Sequence, residues 1–170
     1  INNAGLCLLA PWFVRLFAML GYLDEERKKF RNTASKVRAV FLMQYLVYGE
    51  EKSWREMELT FNRLLTALPG YVPLPKHLAL TDEERQTADS MMAGVKANWP
   101  QMNGTSIEGF RGSFLVREGK LEQEEERWLL TVEEKAYDIL LETTPWGFRQ
   151  IRFPWLKKYV QVKWHEKQIF

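Results

Sequence analysis

Residues 120–132 read Lys120-Leu121-Glu122-Gln123-Glu124-Glu125-Glu126-Arg127-Trp128-Leu129-Leu130-Thr131-Val132, and the hydrophobic period of the chain changes within them. Trp128, Leu130 and Val132 recur at every second position, the spacing of a half-buried strand. Leu121 and Trp128 flank the acidic stretch Gln123 to Arg127, which predicts a hairpin turn between two strands. Further on, Val160, Val162 and Trp164 repeat the two-residue period. Residues 147–153, closed by Pro154, predict a third strand, and Tyr137 to Leu141 reads as a short helix or a buried turn.

Upstream of this point the pattern is helical. Trp12, Phe13, Leu16, Phe17 and Leu20 recur at helical spacing after Pro11, which a first turn tolerates, and Gly21 supplies a left-handed stop. The next helix, about Ala34 to Tyr48, is apolar almost all round and is expected at the centre, with Gly49 ending it. A third, about Ser53 to Leu68, carries Met57, Phe61, Leu64, Leu65 and Leu68 as one stripe. Thr81-Asp82-Glu83-Glu84 forms a capping box that opens a helix with Ala88, Met91, Met92, Val95 and Trp99 on one side. Asn103-Gly104 predicts a turn feeding an N-cap at Thr105 or Ser106. The short helix that follows aligns Ile107, Phe110, Phe114 and Leu115 and is expected to stop at Gly119. The fold class is therefore α+β, a helical body with a small antiparallel β-sheet in the C-terminal part. Residues 1–170 are expected to form a single compact domain. Within it, residues 1–68 make a helical sub-lobe, 69–79 a proline-bearing connection, and 80–170 helices followed by the sheet.

The composition supports a packed core: of 170 residues, 46% are hydrophobic and 14% aromatic, with seven Trp and ten Phe. The net charge of +2 provides no long-range field for capturing nucleic acid or an anionic membrane. No apolar run reaches the roughly 18 residues needed to span a bilayer. The single cysteine, Cys7, sits between Leu6 and Leu8 and reads as a buried small apolar side chain.

Catalytic, metal-ligating and cofactor-binding residues are not expected. His77 lies in a proline-flanked loop and His165 near the terminus, and neither belongs to a recognisable motif. No zinc, phosphate-loop, dinucleotide or hydrolase signature occurs. Glu122, Glu124, Glu125 and Glu126 read as a solvated hairpin, because adjacent strand residues point to opposite faces. Asp138, an acid inside an apolar run, is expected to cap a backbone N–H or to pair with an arginine. Pro145-Trp146-Gly147 and Pro154-Trp155 bracket the third predicted strand, beside the basic residues Arg149, Arg152, Lys157, Lys158, Lys163 and Lys167. The candidate protein interface is Trp146, Arg149, Arg152, Trp155, Lys157 and Lys158, with intramolecular packing of the two indoles as the competing reading.

Several short motifs follow one another in a distinctive order. They are Asn3-Ala4-Gly5-Leu6, Arg38-Ala39-Val40 running into Gln44-Tyr45-Leu46, Asn62-Arg63-Leu64-Leu65, Thr105-Ser106, Phe114 to Gly119, Tyr137 to Leu141, Pro145-Trp146-Gly147 and Pro154-Trp155. In this order the chain resembles the tape measure protein family of contractile injection systems, phage-tail-like particles that some bacteria assemble from a sheath, an inner tube, a spike and a baseplate. The resemblance implies a non-enzymatic structural domain whose partners are the inner tube, the spike or hub, or the baseplate. It further implies three or six copies, and a location in the bacterial cytoplasm during assembly and in the finished particle afterwards. At roughly 1.5 Å per residue even a wholly helical chain of this size would span only about 255 Å. A compact globular composition and a start at Ile1 therefore suggest the folded domain of a longer protein. Two other functions stand beside this one. A protein-binding adaptor or chaperone for tube or cargo components would expose a groove lined by Met91, Met92 and Trp99. A cell-wall hydrolase would need two carboxylates facing each other across roughly 5 to 9.5 Å.

Overall fold

The computed structural model describes residues 1–166, so Lys167 of the basic C-terminal stretch lies outside the described residues. The chain enters through the interior. A 3₁₀ run, Ala4–Trp12, continues directly into helix α1, Phe13–Met19, and Ala4 to Ala10 are all buried. Helical structure thus begins well before Pro11, where the sequence suggested a start. The reason is close packing: a Cβ on Gly5 would lie 1.8 Å from Phe114 O and 2.5 Å from Leu115 Cα, so only glycine lets the two backbones meet. α1 ends at Gly21 (φ +74°), where Tyr22 N–H donates to Phe17 O at 2.9 Å.

Helix α2, Thr33–Tyr48, is the central helix that its apolar circumference predicted. Asn32 Oδ1 accepts from Ser35 N–H at 2.8 Å, Gly49 (φ +70°) closes the helix, and Val40 to Gln44 are buried. The expected third helix is divided. A 3₁₀ turn, Glu56–Leu59, precedes helix α3, Thr60–Leu65, and Met57 is exposed rather than part of the stripe. The Glu58 carboxylate accepts from Arg55 N–H (2.8 Å) and Thr60 Oγ1 donates to Met57 O (3.1 Å), which holds the start as a tight turn.

Helix α4, Asp82–Ala97, begins with the predicted capping box: Glu84 N–H donates to Thr81 Oγ1 at 3.1 Å and Thr81 N–H to Glu84 Oε1 at 2.8 Å. Helix α5, Ile107–Phe110, is capped by Ser106 and widens into a π turn, Arg111–Leu115. It ends before Gly119, which opens the first strand instead. A Cβ there would lie 2.5 Å from Ala4 Cβ, so this glycine serves the contact with the N-terminal run.

Strands β1 (Gly119–Gln123), β2 (Arg127–Val132), β3 (Gln150–Ile151) and β4 (Tyr159–Lys163) form one four-stranded sheet in the order β1-β2-β4-β3. The fold class is α+β, as the sequence indicated, and the sheet is mostly antiparallel. The hairpin pairs Leu121 with Leu130, and β3 pairs with β4 through Gln150 and Gln161. The central pair, β2 with β4, is parallel, with Leu130 beside Val162. A parallel neighbour requires a long crossover. Residues 133–158 provide it, including a 3₁₀ run, Ala136–Thr143, where the sequence suggested a short helix or buried turn. The third strand is shorter than its predicted span of 147–153. Phe148 has the opposite parity from Ile151 and Phe153, yet all three are buried, so the backbone must turn off the ladder.

Two buried polar clusters tie distant segments together, one within residues 1–68 and one within residues 80–170. Asn3 Nδ2 donates to Gln44 Oε1 (3.0 Å) and to Asn62 Oδ1 (2.7 Å), while Asn62 Nδ2 donates to Val40 O (2.8 Å). In the second cluster Arg117 forms a two-pronged pair with Asp138, at 2.8 and 2.5 Å, and Trp164 Nε1 donates to the same carboxylate at 3.0 Å.

Candidate docking groove

An open apolar recess lies where α3 faces the hairpin end of the sheet. Leu64, Leu68, Leu121, Trp128, Trp155 and Leu156 line an open groove of about 680 Å³, with Arg63, Lys157 and Lys158 on its rim. Leu64 and Leu68 face it from α3 and the residues just beyond. Leu121 and Trp128 face it from β1 and β2, at positions set by the strand alternation. Residues 155–158 form the turn that delivers the chain into β4 after Pro154.

Three of the six candidate interface residues meet here: Trp155, Lys157 and Lys158. The Trp155 indole is anchored, its N–H donating to Leu65 O at 2.8 Å and its ring stacked on Phe153 (centroids 4.8 Å) and edge-on to Phe30 (5.0 Å). Lys158 Nζ donates to Glu124 O at 2.8 Å, and Lys157 is exposed. The other three lie outside the groove. Trp146 donates to Leu8 O at 3.0 Å and packs edge-on against Trp12 and Trp99. Arg149 donates to the carbonyls of Trp164 and His165 and lies over the Phe148 ring, and Arg152 lies over the Tyr159 ring, 4.0 Å from its centroid.

Sequence reading missed the α3 wall of the groove and Leu121 as lining residues. Leu64 and Leu68 belonged to a helical stripe, and a stripe does not say whether a partner element covers it. It also set His165 aside, whereas the fold gives it two acidic neighbours: Nδ1 lies 2.6 Å from Glu134 Oε1 and Nε2 3.5 Å from Glu142 Oε2. Its pKa is raised, chiefly by the Glu134 hydrogen bond and further by Glu142, against an opposing effect of burial. Burial pushes the Cys7 thiol up, so the side chain stays a neutral core group.

Compared with known protein families, residues 1–164 match the model described as contractile injection system tape measure protein. The chain belongs to that family. No curated protein and no solved structure is significantly similar to it. The tape measure family is a structural component of the injection particle, and membership gives this domain a structural role there. Its conspicuous motifs turn out to be places where distant segments meet. Asn3, Gln44 and Asn62 share one cluster, Gly5 abuts Phe114 and Leu115, and Arg117 meets Asp138. Met92 and Trp99 of the tape measure domain are buried and Met91 half-buried, so these three do not line an exposed groove together. Among the described residues, no helix is long and apolar enough to cross a membrane.

Proposed function

We propose that this domain is a non-enzymatic assembly module that anchors the tape measure protein to the inner tube, hub or baseplate while particles of controlled length are built. The observation that supports this reading is the groove, which has an apolar floor and lysines on its rim and which the elements among the described residues leave uncovered. A concave recess lined by apolar side chains with a few charged groups at its rim is suited to holding a ligand group or a partner's side chains. Covering it yields about 25 cal/mol for each Å² of apolar surface removed from water, and rim charges mainly set orientation and association rate. Assembly in the bacterial cytoplasm and a copy number of three or six, matching a threefold hub or a sixfold tube, belong to the same reading.

The test reverses the rim charge by placing Lys157→Glu and Lys158→Glu in the full-length protein and imaging particles by electron microscopy. We expect fewer particles, or particles of scattered length, while the isolated domain keeps its melting temperature. Normal particle number and length from a folded double variant would overturn the reading.

A further inference from the structure

A second recess opens between α1 and α4, and it shares no lining residue with the groove. Trp12, Leu16 and Met19 follow one another at helical spacing along α1 and the last residue before it, and Met91 and Gly94 face them from α4. The volume is about 230 Å³, below the roughly 300 to 1,000 Å³ of pockets that enclose a whole small molecule, so the recess suits one large side chain. Met19 is 60% exposed and Trp12 and Met91 are half-buried, which leaves apolar surface in water around it.

Gly94 has no role in the internal packing that accounts for Gly5 and Gly119. It sits inside α4 without a positive φ, and among the described residues a Cβ there would meet nothing within 4 Å. Glycine is one of the least favourable residues in a helix interior, and here its missing side chain leaves room for a close approach to the α4 backbone. Arg15 supplies the charge. It lines the recess, no carboxylate does, and among the described residues Arg15 has neither an ion pair nor a hydrogen-bond partner. On α4, Asp82 is paired with Arg85, Glu84 with Arg38 and Asp89 with the Tyr45 hydroxyl, and Glu83 does not line the recess.

We infer that the α1–α4 recess is a second contact site, which takes one large apolar side chain of a partner protein over Gly94 and a carboxylate of the same segment on Arg15. It is separate from the α3 groove and holds whether or not that groove anchors the domain. The apolar side chain displaces water from Trp12, Leu16, Met19 and Met91, in the manner of a single anchor that dominates an interface from within a pocket. The carboxylate meets the planar donor fork of the guanidinium, which fixes the direction in which the segment crosses the two helices.

A diazirine analogue of methionine is placed at Met19 of the full-length protein, cells making particles are irradiated, and the cross-linked residues are identified by mass spectrometry. The expected product joins this position to a Leu, Ile, Met or Phe of another protein, with Asp or Glu within about one helical turn of it. Two variants probe the recess itself. Gly94→Leu fills it and should keep or raise the melting temperature of the domain, because leucine favours the helix and its side chain meets open space, while cutting the cross-link yield about tenfold. Arg15→Glu should cut the yield to a similar degree, and Arg15→Lys, which keeps the charge, by less. Cross-links only to the tape measure chain itself or to a second copy of it, or no product, overturn the partner. A product lacking the neighbouring acid, or an undiminished yield from Arg15→Glu, overturns the carboxylate. A lowered melting temperature or an undiminished yield from Gly94→Leu overturns the role given to the recess.

Discussion

Arg117 joins four parts of the chain through one guanidinium. Its Nε donates to Ser113 O (2.9 Å), Nη1 donates to Glu133 O (2.9 Å), and both terminal nitrogens meet Asp138, with the Phe114, Tyr137 and Trp164 rings packed around it. Burial alone would push the Asp138 carboxyl up. Arg117, the Lys135 N–H and the Trp164 N–H outweigh that and hold it below the usual carboxylate range. The pair is almost wholly removed from water, with side chains 1% and 0% exposed. Removing one partner strands the other, so Asp138→Ala should destabilise the domain by about 3 to 5 kcal/mol, measured by urea unfolding. A loss under about 1 kcal/mol would mean that water reaches the arginine. That Asp138 caps a backbone N–H and pairs with an arginine was legible, because an acid inside an apolar run must find donors. Which arginine was not, since nothing in local spacing connects residues 117 and 138. The indoles illustrate the same limit: Trp146 and Trp155 are visible as large amphipathic rings, but their acceptors, Leu8 O and Leu65 O, are set by the fold alone.

At the scale of elements, α4 is tied to α2 by the residue that also completes its cap. Glu84 accepts from Thr81 N–H, forms a two-pronged pair with Arg38 (2.7 and 2.5 Å) and accepts the Tyr22 hydroxyl. Burial would raise its pKa, but Arg38, Thr81 and Tyr22 together bring it down to about 2. A depressed carboxyl pKa contributes stability that is fully present above the unfolded value of about 4.5 and is lost as pH falls toward 2. The domain should therefore lose on the order of 3 kcal/mol through this window, and Glu84→Gln should flatten that part of the pH profile. A variant profile that keeps the full acid slope would place the lost stability elsewhere. The cap itself was readable because its two residues are three positions apart. The further duty of Glu84 toward Arg38 and Tyr22 arises only when α2, α4 and the turn after α1 converge. The sheet divides in the same way. Its hairpin is local and was legible, whereas the parallel β2–β4 pair depends on a crossover whose course no periodicity records.

At the scale of the molecule, the question is whether residues 1–68 and 80–170 unfold separately, as two sub-lobes joined by the proline-bearing connection would. The packing argues for one unit. Residues 1–68 do not keep to their own half: Ala4 N–H donates to Arg117 O (3.0 Å), Gly5 lies against Phe114 and Leu115, Leu8 O holds Trp146, and Leu65 O of α3 holds Trp155. The connection is itself bound, with Trp54 N–H donating to Lys76 O (2.8 Å) and Arg63 Nη1 to Pro69 O (2.7 Å) and Val72 O (2.8 Å). Opening one lobe would therefore expose core of the other, which is the condition for all-or-none unfolding. Urea melts followed by tryptophan fluorescence and by far-ultraviolet circular dichroism should coincide in a single transition. Gly5→Ala probes the same point, because its methyl group would collide with backbone that has no side-chain freedom to yield. If the domain is one unit, that substitution lowers both signals together. Two separated transitions, with Gly5→Ala shifting only the first, would instead establish the lobes as independent folding units and restrict the sheet's dependence on the N-terminal run to docking.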